Sequence, residues 1–200
     1  MGRKTDKRTI NTKKIIKNAV IDLMEEQQTS DISVTDISKR TGINRNTFYI
    51  HYNSVSEAIS DVEDDVVLYA IESINKFEID DFLFNPSLLT TAITACLINN
   101  PNKKKLIFES PISPTILNKL SSGITTYIAR SYVKSYINYD AAVYYCIEFL
   151  IAGYIHALSD WYYSDKKVRI EHLINKINNV ALNGLKSLIN TTLIKKNTNK

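Results

Sequence analysis

Glycine, proline and cysteine are all scarce in this chain of 200 residues, which contains 5 Gly, 4 Pro and 2 Cys. An all-β protein needs turn residues at intervals of about 8–12 positions, so their shortage favours helices. Cys96 and Cys146 each lie in an apolar stretch, which indicates small buried side chains in a reducing compartment. No signal-peptide pattern and no apolar run of about 18 residues is present. We therefore expect a cytoplasmic protein without a membrane segment.

Motifs that carry catalysis or bind cofactors are missing too. The sequence has no Gly-rich phosphate loop and no Cys/His spacing typical of a metal site. Its three histidines, His51, His156 and His172, are scattered along the chain. The sequence therefore predicts no enzyme, no metal and no other cofactor.

Positive charge, by contrast, is concentrated at the N-terminal end. Residues 1–54 contain 10 Lys and Arg against 6 Asp and Glu, and the rest of the chain contains 15 of each sign. The whole net charge of +4 therefore lies in the first 54 residues. Such a distribution favours contact with the phosphates of a nucleic acid. The alternative is a solvated segment that only aids solubility.

Apolar residues recur at helical spacing through most of the chain, which predicts an all-α fold of about nine helices. We expect a flexible arm over residues 1–10 and a first helix from Asn11 or Thr12 to Gln27. The predicted caps of the next three helices are the pair Ser33 and Asp36, the single residue Asn44, and the pair Ser54 and Glu57. Further helices are expected at about 55–76, 86–99, from Pro101, 115–137, 140–163 and 169–194, with a loop at 78–85. Charge and helix length change near residue 54, which divides the chain into predicted domains 1–54 and 55–200.

The second and third helices are separated by a turn containing Gly42, which is the helix-turn-helix arrangement. Ile43 and Phe48 are expected to pack inward. The outward residues of the third helix are then Arg45, Asn46, Tyr49 and Ile50. Arginine can form two hydrogen bonds with guanine, and asparagine can do the same with adenine. The third helix is therefore predicted to enter the major groove of double-stranded DNA.

Two segments resemble the DNA-binding motif of the TetR (tetracycline-repressor-like) family. They are 33–37 (Ser-Val-Thr-Asp-Ile) and 41–52 (Thr-Gly-Ile-Asn-Arg-Asn-Thr-Phe-Tyr-Ile-His-Tyr), and the resemblance covers about residues 11–60. It implies a homodimer that binds a palindromic operator through Thr35, Arg45, Asn46, Thr47, Tyr49 and His51. The alternatives are that Thr47 only bonds the Asn44 cap, and that Tyr49 and His51 are ordinary surface residues. The chain departs from the family at 27–30, where a Gly is usual, and at Val55, where a Lys is usual.

The resemblance also implies a C-terminal domain with a ligand cavity among helices four to eight and a dimer interface on helices eight and nine. The candidate contacts for a small-molecule effector are Tyr145, Glu148, His156 and Trp161. The alternatives are an interface-edge role for Glu148 and a core or interface role for the aromatic residues. Gly153 is predicted to lie in the dimer interface, or else to pack within one subunit. The implied function is a ligand-controlled transcription regulator, a repressor, and the alternative is a co-activator with weak or lost DNA binding.

Overall fold

The computed structural model describes residues 2–99, 104–135 and 141–192. Within these residues every regular element is helical, which confirms the prediction of an all-α chain. The α-helices are α1 (Gly2–Glu26), α2 (Val34–Thr41), α3 (Arg45–His51), α4 (Val55–Ile74), α5 (Ile79–Phe84), α6 (Pro86–Ile98), α7 (Ser113–Ser135), α8 (Ala141–Tyr163) and α9 (Ile170–Thr192). A 3-10 turn covers Thr29–Asp31 and a π-helical turn covers Lys105–Glu109.

The start and end of α2 follow from local side-chain chemistry. Ser33 Oγ accepts a hydrogen bond of 3.2 Å from the backbone N–H of Asp36, and the Asp36 carboxylate accepts one of 3.0 Å from the backbone N–H of Ser33. The predicted capping box is therefore confirmed. Gly42 ends the helix with φ of 71°, a left-handed conformation that costs glycine little because it lacks Cβ.

The predicted box at the start of α4 is only half formed. Ser54 Oγ accepts from the backbone N–H of Glu57 at 3.1 Å, as expected. Glu57, however, accepts from the backbone N–H of Asn53 at 2.7 Å and from its Nδ2 at 2.9 Å. The carboxylate thus reaches one residue further back than a capping box requires.

Two segments that were predicted to be irregular are helical. Residues 2–10 continue α1 back to Gly2, where a flexible arm was expected. Once a helix is nucleated, polar residues without proline extend it at little cost, and Lys and Arg are good helix formers. The loop expected at 78–85 contains α5, whose first turn is held by a hydrogen bond of 2.9 Å from the Glu78 backbone N–H to Asp81. The helix expected from Pro101 starts outside the described residues, and the π-helical turn follows at Lys105.

The body of the protein is built on α7, which packs along both α4 and α8. Its buried side chains recur every four residues, at Ile116, Leu120, Ile124 and Ile128. Gly123 permits the close crossing with α4, because a Cβ at this position would lie 2.5 Å from Val67 Cγ1. α1 packs on α4 as well as on α2 and α3, so the N-terminal three helices are anchored directly to the body.

Helix α8 buries one face and exposes the other. Ile147, Ile151 and Leu158 point into the core, whereas Tyr145 is 68% exposed and Phe149 75% exposed. The residues of α8 are apolar nearly all round, which is typical of a helix buried on more than one side, but within a single chain only one face of α8 is buried. By length and composition alone α8 could cross a membrane, and 28% of its apolar window is buried within this chain. Of the two cysteines, Cys96 is buried as predicted and Cys146 is half-buried, and neither forms a disulfide within the described residues.

Candidate nucleic-acid interface

Phe48 anchors α3 to the rest of the N-terminal unit. Its side chain is fully buried in one core with Val34 and Ile37 of α2, and its ring centroid lies 5.8 Å from that of Tyr52. Ile43, in the turn, is half-buried against the same core, as predicted. The inner face of α3 is thereby fixed, and its opposite face points to solvent.

The residues predicted to contact DNA lie on or beside this outer face. Arg45, Asn46 and Tyr49 are exposed, whereas Thr47 and His51 are half-buried on α3. Thr35 is half-buried in the first turn of α2. The Asn44 cap accepts a hydrogen bond of 2.9 Å from the backbone N–H of Asn46. The partner of the cap is thus Asn46, which disfavours the alternative role for Thr47.

Several cations of the N-terminal unit are already paired with carboxylates. Arg40 Nη2 lies 2.5 Å from Glu26 Oε2, and Lys17 Nζ lies 2.5 Å from Asp65 Oδ2. These pairs hold α1 to α2 and to α4. Among the side chains that the structure describes, five exposed cations of this unit form no ion pair, namely Lys7, Arg8, Lys14, Lys39 and Arg45. These five are available to phosphates.

Asp61 of α4 bonds to residues of α1 and to Tyr52, the residue that follows α3. It accepts a hydrogen bond of 2.7 Å from Tyr52 Oη and one of 3.3 Å from Lys13 Nζ, and Lys17 Nζ lies 3.5 Å away. Partial burial acts to raise the pKa of Asp61, but these hydrogen bonds and the charge of Lys17 lower it below its usual value. Burial, followed by the bond to Asp61, raises the pKa of the Tyr52 phenol far above its usual value. Tyr52 therefore stays a neutral donor to an ionised acceptor.

A second ionic cluster joins α4 to α7. Lys119 Nζ lies 2.9 Å from Glu63 Oε2 and 2.8 Å from Asp64 Oδ1, and it donates to Ser60 Oγ at 2.8 Å. Glu63 is buried, and Lys119 compensates its charge. Partial burial acts to lower the pKa of Lys119, but the hydrogen bonds to the two carboxylates raise it overall. α4 is therefore bonded to α1 and α3 by Asp61, and to α7 by this cluster.

An apolar cavity of about 70 Å³ lies between α5, α6, α7, α8 and α9. It is lined by Phe82, Pro86, Leu89, Thr90, Ile93, Ile128, Ile147, Leu150, Ile151, Tyr154, Ile177 and Ala181. Tyr154 Oη donates to Thr90 O at 2.9 Å and also contacts Thr94 Oγ1, and Thr90 Oγ1 donates to Asn178 Oδ1 at 2.7 Å. Burial raises the pKa of Tyr154 to about 12. The few polar groups here already have partners, so the remaining wall favours an uncharged, apolar occupant.

None of the four predicted effector contacts lines this cavity. Tyr145 is exposed, and His156 is exposed with its Nε2 3.5 Å from Asp160. Trp161 Nε1 donates to Val168 O at 2.7 Å in the connection between α8 and α9, and Glu148 is half-buried on α8. The four residues are thus not brought together around one space. In the part of the chain that the structure describes, no group of three His, Cys, Asp or Glu side chains could hold a metal ion.

Comparison with solved structures relates this arrangement to known regulators. A TetR transcriptional regulator from Streptococcus agalactiae 2603V matches 92% of this chain and 99% of its own, with a TM-score of 0.62 and 20% sequence identity. The chain has the TetR fold. A TetR family transcription regulator from Shewanella sp. PV-4 matches 91% of this chain and 98% of its own, with a lower TM-score of 0.49 and 15% sequence identity. No protein-family model matches the sequence, and comparison with curated proteins gives no match.

The structure gives the positions of the two segments where the sequence departs from the TetR motif. Residues 27–30, where glycine is usual, overlap the 3-10 turn Thr29–Asp31 before α2. Val55, where lysine is usual, is the first residue of α4 and is half-buried against the core. The end of α4 nearest to α3 therefore lacks one cation.

Proposed function

We propose that this protein is a sequence-specific transcription regulator of the TetR type that binds double-stranded DNA. The observation that carries the proposal is the outer face of α3, where Arg45, Asn46 and Tyr49 are exposed on a helix fixed from behind by Phe48. Arg45 would bond guanine and Asn46 would bond adenine in the major groove. The net charge of +4 over residues 1–54 would supply attraction that does not depend on sequence.

The remaining predicted contacts position the helix on the DNA backbone. Tyr49 and His51 would bond phosphates from α3, and Thr47 would contact a base or an adjacent phosphate. Thr35 would reach the backbone or a base edge from the start of α2. Those of the contacts that go to phosphates fix the orientation of the helix but carry no sequence information by themselves.

The proposed regulator is a homodimer that reads a palindromic operator. A single helix-turn-helix makes too few contacts for tight binding, so a two-fold dimer presents two of them to successive half-sites. Tyr145 and Phe149 of α8 and Val180 of α9 are large exposed apolar side chains that a second copy would cover. His156 and Asp160 are also exposed on α8, and lipid would solvate these ionisable groups poorly. We therefore favour a protein partner over a membrane, and a cytoplasmic protein.

We further propose a repressor whose operator affinity falls when a small molecule occupies the apolar cavity. Ligand sites for drug-sized molecules usually have volumes of about 300–1,000 Å³, so 70 Å³ accommodates only a small apolar group unless the surrounding helices move apart. Binding of apolar alcohols of increasing length should raise the melting temperature, because a ligand at about 100 times its Kd stabilises by about 2.7 kcal/mol. Ile151→Trp, which fills the cavity, should abolish the shift, whereas the control Leu68→Ala, at an exposed site on α4 outside the cavity, should retain it.

A co-activator that holds another protein, with weak DNA binding, is the second candidate. The observation that favours it is Val55, because a lysine at the start of α4 would add about one phosphate contact. The five free cations of the N-terminal unit argue against it.

The deciding experiment is a gel shift of the purified protein across upstream DNA fragments at several salt concentrations. The regulator should retain at least one fragment, with an affinity that falls steeply as salt rises. The matched pair Arg45→Ala and Arg169→Ala, two exposed arginines on different parts of the chain, should separate binding-face effects from loss of charge alone. Retention of no fragment at low salt would refute the regulator and favour the co-activator.

A further inference from the structure

Ile50 exposes 78% of its surface although it belongs to the short helix α3. The inner face of this helix is already occupied by the fully buried Phe48. Folding therefore does not require an apolar residue at position 50. The exposed apolar residues of α8 and α9 are explained by the proposed dimer, but Ile50 lies on a different part of the chain and is not.

The position of Ile50 on α3 indicates what it faces. Residues four apart on a helix are neighbours on its surface, so Ile50 lies beside Asn46, and Tyr49 lies beside Arg45. All four are exposed. A branched apolar side chain therefore stands next to the amide that the proposed function assigns to adenine.

The major groove offers such a side chain one apolar target. Base edges there present hydrogen-bond donors and acceptors, except for the C5-methyl group of thymine. Pressed against polar edges, Ile50 would displace water without replacing its hydrogen bonds. Against a thymine methyl, the same side chain would bury apolar surface on both partners.

We propose that Ile50 is a specificity-determining residue that packs on a thymine methyl group next to the base pair read by Asn46. The proposal rests on the proposed DNA-binding function and deepens it. It assigns to the α3 face one hydrophobic contact in addition to the hydrogen bonds of Arg45 and Asn46.

The test removes the methyl group without changing base pairing. Binding sites are first selected from random duplexes with the full chain, and each thymine is then replaced in turn by deoxyuridine. Wild-type affinity should fall about fourfold per half-site at one position, because a buried methyl-sized group contributes about 0.8 kcal/mol. Ile50→Ala should bind the thymine and deoxyuridine duplexes equally, with unchanged circular dichroism and melting temperature because the side chain is exposed.

Leu68→Ala is the matched control, since Leu68 is also an exposed apolar residue but lies far along α4. This variant should keep the full preference for thymine. Equal wild-type binding to thymine and deoxyuridine at every position would overturn the inference. A preference for thymine that persists in Ile50→Ala would overturn it as well. Both results leave DNA binding intact, whereas a wild-type protein that binds no duplex refutes the proposed function itself.

Discussion

Replacing Tyr52 by phenylalanine tests whether the Asp61 cluster fixes α3 on the body. The substitution removes one donor, the phenol 2.7 Å from Asp61 Oδ2, and keeps the ring that packs on Phe48 and lies under Lys13 Nζ at 4.7 Å. A hydrogen bond to a charged group contributes about 1.5–3 kcal/mol. The side chain of Asp61 is 29% exposed, so water replaces part of the lost bond and we expect a cost of about 1 kcal/mol.

Thermal unfolding measures this cost directly. For a chain of this size, about 1 kcal/mol lowers the melting temperature by roughly 2–4 °C. Leu68→Ala, a substitution at an exposed apolar site outside the cluster, is the control and should change the free energy of unfolding by less than about 0.5 kcal/mol.

The pH dependence separates the bond from simple packing. The pKa of Asp61 is lowered in the folded protein, so its contribution to stability is present above the ordinary carboxyl pKa and is lost as pH falls through the lowered value. The difference in unfolding free energy between wild type and Tyr52→Phe should therefore be full at pH 7 and shrink in acid. A difference that is the same at pH 7 and below pH 3 would show that Asp61 ionisation plays no part. Unchanged stability at pH 7 would refute a stabilising role for the bond between Tyr52 and Asp61.

Three further predictions concern the proposed regulator. Arg45→Ala should cost about 1–3 kcal/mol of operator binding and relax base preference at one position per half-site, and an unchanged preference in binding-site selection would contradict its role. Replacing Lys4 and Lys7 by Ala should weaken binding to all sequences alike. Titration at several salt concentrations should show a slope of log affinity against log salt that is smaller by about two units, one for each lost phosphate contact. A loss of affinity confined to the operator would argue against a phosphate role. Gly153→Leu should raise the dimer dissociation constant and weaken operator binding with it. Sedimentation at micromolar concentration decides this, because a wild-type monomer rules out the dimer and a fully dimeric variant places Gly153 elsewhere.

The features predicted correctly from the sequence depend on residues close together along the chain. The Ser33 box, the Asn44 cap and the left-handed Gly42 need only three or four neighbouring residues, so their chemistry can be read directly. The start of α1 was missed because propensity alone does not say where a polar helix frays. Helix α5 was missed because its capping pair begins with Glu78, a residue that is not typical of an N-cap.

The residues that line the cavity were harder to predict because α8 is apolar on both faces. Ile147, Ile151 and Tyr154 follow one buried stripe, and Tyr145 and Phe149 follow the exposed one. The sequence pattern does not distinguish the two stripes when both are hydrophobic. Selecting aromatic and ionisable residues therefore favoured the outer stripe, where contacts with another molecule are possible. A search for apolar residues one turn apart that include a tyrosine would have found Tyr154.

Gly153 lies on the exposed side of α8. A Cβ added at this position would meet no atom within 4 Å, so packing against α4 or α7 in the same chain does not account for the glycine. The sequence offered two explanations for this glycine, packing within one subunit and close approach of a second copy. The second of these stays a prediction. Gly123 has the opposite environment, because a side chain at this position would collide with Val67 of the same chain.

In the proposed ligand response, α7 is the element that connects the cavity to the DNA-binding unit. Among the described residues α4 contributes none to the cavity wall, whereas α7 contributes Ile128. Lys119, which bonds the acidic residues of α4, lies nine residues earlier on α7, about 13 Å along a helix axis. A ligand that displaced α7 would therefore act on α4 through Lys119 and the Gly123 crossing, and α4 would act on α3 through Asp61. Coupling by this route requires the ionic clusters around both Asp61 and Lys119. A substitution that weakens either cluster should therefore reduce the effect of the ligand on operator binding, although it leaves the cavity open.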